Sequence, residues 1–158
     1  MQPKILIYGY GNPGRRDDGL GPELVKVLEK SPVLKNQNYS FHSGYQLELE
    51  DAYLFSEFSY IILADASKAE IKNFALEKII PGGDPSFSMH SVSASYLLCL
   101  AWELFGCSPD AYFLHLAGYD WEIGEEISSR ARENLEKARI WIENNSNQPG
   151  WPADFLIK

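Results

Sequence analysis

The sequence predicts an α/β protein with a mostly parallel sheet covered on both faces, and three observations carry that prediction. Short apolar or β-branched runs alternate along the chain with segments of helical periodicity. The best runs, Ile5-Leu6-Ile7-Tyr8 and Tyr60-Ile61-Ile62-Leu63-Ala64, are apolar without alternation, as strands buried on both faces are. Each closes on a glycine or an acidic residue, as a strand does when it reaches the edge of a sheet where a ligand site forms.

In chain order, Lys4–Tyr8 is a buried strand and Gly9–Arg16 a glycine-rich loop. Leu20, Leu24, Val27 and Leu28 recur at helical spacing, with Pro22 acceptable in the first turn, and this helix stops near Ser31-Pro32. Tyr39–His42 is a weaker strand, Leu47–Phe55 a short helix, and Tyr60–Ala64 a second buried strand followed by Asp65. Phe74–Ile80 has the composition of an edge strand, and Pro81-Gly82-Gly83-Asp84-Pro85 is a loop. A helix apolar on nearly all sides spans about Ser91–Phe105 and stops at Gly106. Ala111–Leu116 is a third good strand. Ile127, Ala131, Leu135, Ala138 and Ile142 mark a final amphipathic helix, which breaks in the polar run Asn144–Gly150. The 158 residues are expected to form a single domain, with 146–158 a C-terminal tail whose Trp151, Phe155, Leu156 and Ile157 are apolar enough to dock.

Composition narrows the function. The formal net charge of −8 disfavours nucleic acid and anionic membrane surfaces as partners. Two cysteines, with no Cys-x-x-Cys pair, exclude a disulfide framework and argue against a zinc or redox motif. No run approaches the length of about 20 apolar residues that spans a bilayer, and the start of the chain lacks the apolar region of a signal peptide. The expectation is a reduced, cytoplasmic protein. Neither a G-x-S-x-G elbow nor a P-loop lysine motif is present.

Four constellations could carry chemistry. Gly9-Tyr10-Gly11-Asn12-Pro13-Gly14 matches the dinucleotide pattern G-x-G-x-x-G after a strand. Four charged residues separate it from the helix, Asp17 and Asp18 would repel a phosphate, and the second strand lacks an acid for a ribose. A tight strand-to-helix turn is the simpler reading. Arg15-Arg16-Asp17-Asp18 reads either as locally paired loop charge or as an acidic pair suited to a cation or to general base work. Asp18, nearer the helix, is the expected inward group, and Asp17 the capping or orienting one. Asp65 follows the best strand and so falls at the carboxyl edge of the sheet, where α/β sites form. His90, in Ser88-Met89-His90-Ser91, stands at a helix entrance, where an imidazole can bind a metal or move a proton, or is a bystander while Ser88 or Ser91 caps the helix. His42 and His115 read as satisfied structural residues, and Cys99 as an inert thiol within a helix. Two carboxylates and one imidazole, Asp18, Asp65 and His90, thus converge on one edge as a ligand set with open positions, compatible with metal-assisted hydrolysis.

The stretch Ile5–Gly21, with Gly9-Tyr10-Gly11-Asn12-Pro13-Gly14-Arg15-Arg16-Asp17-Asp18-Gly19, closely resembles the opening of the hydrogenase maturation endopeptidases. The resemblance continues through Tyr45–Ala52, Ala64-Asp65-Ala66, Met89-His90 and Gly118–Ser128, and covers nearly the whole chain to about Asn144. Several stretches are most similar to the branch serving bidirectional, NAD-linked nickel–iron hydrogenases. The resemblance implies a three-layer α/β/α sandwich around a twisted five-stranded sheet. It also implies a cytoplasmic endopeptidase that removes the C-terminal extension of a hydrogenase large-subunit precursor after nickel insertion. By motif, the residues that contact the metal are Asp18, Asp65 and His90. The nickel would arrive with the substrate, with none held tightly by the free protein. Some members carry glutamate where Asp18 stands. A non-cleaving protein that senses the loaded nickel site is the alternative from another class.

Overall fold

A computed structural model describes residues 2–35, 37–82 and 92–158. Five strands form one sheet: β1 (Ile5–Tyr10), β2 (Tyr39–Gly44), β3 (Tyr60–Ser67), β4 (Phe74–Ile79) and β5 (Asp110–Ala117). Their order is β2-β1-β3-β5-β4, parallel throughout except for β4, which runs antiparallel to β5 at the edge. Among the described residues four α-helices cover the faces: α1 (Leu20–Glu29), α2 (Asp51–Ser56), α3 (Ala94–Phe105) and α4 (Ser129–Asn145). The result is the three-layer α/β/α sandwich expected from the sequence.

The unalternating strands divide their side chains between two cores. Ile5, Ile7, Ile62, Ala64, Leu114 and Leu116 pack with α1 and α4 on one face. Leu6, Tyr8, Ile61, Leu63 and Ala111 pack with α2 and α3 on the other. Two apolar faces per strand are what helices on both sides require, and this removes the polar alternation of a half-exposed sheet. The third layer begins where Ser93 caps α3 by accepting the amide N–H of Tyr96 at 3.2 Å, and it stops at Gly106, in the left-handed conformation.

Several boundaries differ from the sequence reading. β1 continues through Gly9 to Tyr10, because β2 and β3 offer partners on both sides. β3 runs past Asp65 to Ser67, since Asp65, Ala66 and Ser67 pair with His115, Leu116 and Ala117. Asp65 therefore lies within the strand rather than after it. The short helix expected over Leu47–Phe55 spans only Asp51–Ser56. The Asp51 carboxylate accepts the Glu48 amide at 2.9 Å and the Tyr8 hydroxyl at 3.0 Å, and this holds 48–51 as a turn.

The last residues close the open side of the sheet. Leu76 and Ile157 exchange backbone hydrogen bonds of 2.8 and 3.0 Å, which covers the free edge of β4. Trp151 is buried between Trp141 and Phe155, with ring centroids 5.2 and 5.5 Å away. No helix among the described residues is long and apolar enough to cross a membrane.

Strand order sets the site. The chain leaves β1 toward β2 on one side, then returns to place β3 on the other. The carboxyl ends of β1 and β3 therefore flank the point where strand order reverses, the position where sheets of this class form a ligand crevice.

Candidate functional site

At that reversal α1 presses directly on the sheet. A Cβ at Gly21 would collide with the carbonyl oxygen of Ala64 and come within 2.7 Å of the Tyr10 carbonyl oxygen. Only glycine allows this approach, which sets the start of α1 against the ends of β1 and β3. A single 3-10 turn, Arg16–Gly19, leads into the helix and carries Asp17 and Asp18.

The two neighbouring acids point to different tasks. Asp18 accepts the backbone N–H of Asn12 at 2.9 Å, and Gly11, at φ +145°, has no room for a Cβ against the Asp18 carbonyl. The glycine loop therefore wraps around a carboxylate. The amide N–H that a phosphate would seek is already taken by an anion, which removes the physical basis of the dinucleotide reading.

Asp17 has no exposed surface. It accepts the backbone N–H groups of Tyr119 at 2.8 Å, Asp120 at 2.9 Å and Ser128 at 2.7 Å, together with the Ser128 hydroxyl at 2.8 Å. Burial by itself would raise its pKa, but these donors outweigh burial and hold the carboxyl below its usual range. Asp17 thus orients the loop 118–128 against the turn that carries Asp18. Arg16, at φ +49°, donates its backbone N–H to the Gly124 carbonyl at 2.8 Å, and Gly124 donates to the Gly14 carbonyl at 2.9 Å.

Asp65 is partly buried on β3, on the side of the sheet that Ile61 and Leu63 also face. Burial pushes its pKa up, the neighbouring Asp18 charge pushes it further, and the value reaches about 7 against a weak opposing bond from the Ala66 amide. Tyr10 is raised as well, first by burial and then by the Asp65 charge. Two carboxylates, the charge of one raising the pKa of the other, thus stand at the strand-order reversal. Burial and the Asp18 charge bring the Asp65 carboxyl to a pKa near neutrality, where it can both hold and release a proton.

The structure thus brings Asp18 and Asp65 together. His90 lies outside the described residues, as do Gly83 and Ser91. Among the described residues no group of three or more His, Cys, Asp and Glu side chains could hold a metal ion. His115, paired in register with Asp65, turns to Glu77, with Nε2 2.7 Å from Oε1, and its ring is partly exposed. The residue pattern by itself does not single out Tyr10 or the loop 118–128. Their only sequence signal is the position of Tyr10 between two glycines and the resemblance carried by Gly118–Ser128.

No protein-family model matches the sequence, and no curated protein matches it. Solved structures do match the fold. A [NiFe] hydrogenase maturation protease, HycI from Thermococcus kodakarensis KOD1, superposes with a TM-score of 0.71 at 19% identity, over 89% of this chain and 90% of that one. A hydrogenase 2 maturation peptidase from a Thaumarchaeota archaeon gives 0.66 at 15% identity, over 91% and 98%. The hydrogenase maturating endopeptidase HybD from E. coli gives 0.65 at 18% identity, over 88% and 89%.

Proposed function

We propose that this chain is an endopeptidase that removes the C-terminal extension of a nickel–iron hydrogenase large-subunit precursor once nickel has been inserted. The observation that carries the reading is the Asp18–Asp65 pair, two electrostatically coupled carboxylates at the strand-order reversal. The fold likeness to hydrogenase maturation proteases supports it, as does the order of the sequence motifs.

In this reading the nickel belongs to the substrate. Asp18, Asp65 and His90 meet the nickel-bearing end of the precursor and so bring the scissile peptide bond to the sheet edge. Asp18 is held in place by the Asn12 amide, whose N–H it accepts at 2.9 Å. Asp65, with its pKa near neutrality, is matched to moving a proton. In its ionised form it takes one from the attacking water as the water oxygen bonds to the peptide carbonyl carbon. It returns the proton to the leaving nitrogen as the carbon–nitrogen bond breaks. The similarity of several stretches to the NAD-linked branch points to that class of precursor. The free Cys99 and Cys107 fit a reduced, cytoplasmic setting.

The test is intact mass of the precursor after incubation with the protein, with and without nickel. A nickel-dependent loss of a C-terminal peptide, absent with His90→Ala and Asp65→Asn, is the expected result. Binding of loaded precursor without any mass loss would replace the endopeptidase with a non-cleaving sensor of the nickel site.

A further inference from the structure

The two edges of the sheet are treated differently. The outer side of β4 is met by Ile157 at Leu76, whereas β2 pairs with β1 alone. The carbonyls of Asn38 and Gly44 accept the amides of Ile5 and Gly11 at 2.8 and 3.1 Å, so even-numbered residues here turn their backbone to β1. Alternation then turns the N–H and C=O of Phe41 and Ser43 outward. Nothing among the described residues pairs with those groups. The usual edge guards are missing as well. β2 reads Tyr-Ser-Phe-His-Ser-Gly, with no lysine, acid or proline, and its register with β1 runs from Tyr39 to Gly44 without a bulge.

Position gives this bare edge a use. β2 ends where Gly44 meets Gly11, and the next residue, Asn12, donates its amide to the Asp18 carboxylate. Beside that end lies an open hollow of about 200 Å³ lined by Gly11, Pro13, Pro22, Ser43, Gly44 and Tyr45, none of them charged. A second hollow, of about 360 Å³, shares Pro13, Pro22 and Ser43 and continues along α1 past Val25 to Lys26. A strand added to β2 would drop alternate side chains into this groove, which ends at the glycine loop. Backbone donors and acceptors at strand spacing are complementary to one kind of ligand, another extended polypeptide. A peptide bond that reaches Asp18 and Asp65 must be carried there by such a chain. The added strand would lie three strand spacings, about 14 Å, from β3, a distance that about four or five extended residues cover.

We infer that the outer edge of β2 receives the precursor's chain as an added strand, about four or five residues from the scissile bond. An uncharged, apolar side chain of that segment occupies the hollow between Pro13 and Pro22. This rests on the proposed function and names the surface on which that substrate is held.

Two measurements test it. Ser43→Pro removes the outward N–H alone, and an edge strand tolerates proline where that group faces solvent, so a melting temperature near wild type is expected. Its KM for nickel-loaded precursor is expected to rise about fivefold or more, the scale of one lost backbone hydrogen bond, while kcat changes less. Ser43→Ala keeps the N–H and is expected to raise KM less than Ser43→Pro. The second measurement is amide hydrogen exchange, with Asp65→Asn used to hold the precursor uncleaved. Binding is expected to slow exchange at Phe41 and Ser43. Equal KM values in the two variants overturn the added strand, as does unchanged exchange at both amides in the bound complex. Protection that grows with the concentration of this chain alone assigns the edge to a second copy and also overturns it. A wild-type protein that neither binds nor cleaves loaded precursor overturns the substrate reading, and the added strand with it. Binding without cleavage overturns the peptidase reading alone, and exchange in the wild-type complex then decides the strand.

Discussion

Asp65 carries a carboxyl whose pKa reaches about 7, raised first by its own burial and then by the charge of Asp18. The two residues come from different elements, a buried strand and a 3-10 turn, and meet only because the strand order reverses between β1 and β3. Functional carboxylates are commonly tuned by this combination of desolvation and like charge.

A stability consequence follows with a definite sign. The folded pKa of Asp65 lies above the unfolded value of about 3.9. The native state therefore holds a proton that the unfolded chain has released. That contribution is fully present below about pH 3.9 and is lost as pH rises through 7. Asp65→Asn, which cannot ionise, is expected to match wild type in stability near pH 4 and to exceed it above pH 7, by a few degrees in melting temperature. Thermal melts at pH 4, 6 and 8 check this; two curves that stay parallel across the range would refute the coupling.

Asp18 should be sensitive to charge and tolerant of length. Asp18→Asn keeps the shape and an acceptor for the Asn12 amide but removes the anion. Under the proposed function, nickel-dependent processing of the precursor is expected to fall by about 100-fold or more, the lower range for losing a group in direct acid–base or electrostatic service. Asp18→Glu retains the charge and is expected to keep a larger share of activity than Asp18→Asn. Equal losses in the two variants would argue that shape, not charge, is what this position supplies.

The strands were legible because both of their faces are apolar, and because β-branched runs such as Ile5–Ile7 and Tyr60–Leu63 leave few other options. The acids at the sheet edge were legible for the same reason, since each is read from its distance to a strong strand. What could not be read was set by contacts across the chain. The α2 boundary depends on a bond from Tyr8 to Asp51, 43 residues apart. The task of Asp17 depends on Tyr119, Asp120 and Ser128, more than 100 residues away, and no local spacing encodes that meeting. Extension of β3 through Asp65 required knowing that β5 pairs beside it.

Asp17 offers a prediction of local rather than only global effect. Asp17→Ala removes the acceptor for three backbone N–H groups and a hydroxyl. Orphaned buried donors cost about 1–3 kcal/mol each, less where the loop can shift toward water. A loss of about 3 kcal/mol is expected, which for a chain of this size lowers the melting temperature by roughly 10 °C. Asp17→Asn keeps an acceptor oxygen and is expected to lose less. Amide hydrogen exchange should quicken first at Tyr119, Asp120 and Ser128. Unchanged protection at those three amides would show that the carboxylate does not hold the loop.

The C-terminal residues should behave as part of the core and as an edge guard at once. Trp151 is buried against Trp141 and Phe155, and Ile157 pairs with Leu76 on the outer side of β4. Trp151→Ala is expected to cost about 3–5 kcal/mol, the range for emptying a buried tryptophan site. Deleting 151–158 adds a second effect, because it frees the backbone N–H and C=O of Leu76 on an edge strand. The truncated chain is therefore expected to melt earlier and to self-associate at concentrations where Trp151→Ala remains monodisperse. Melting curves combined with light scattering separate the two contributions. If both proteins scatter alike, loss of the aromatic cluster alone explains the behaviour and the Leu76–Ile157 pair guards nothing.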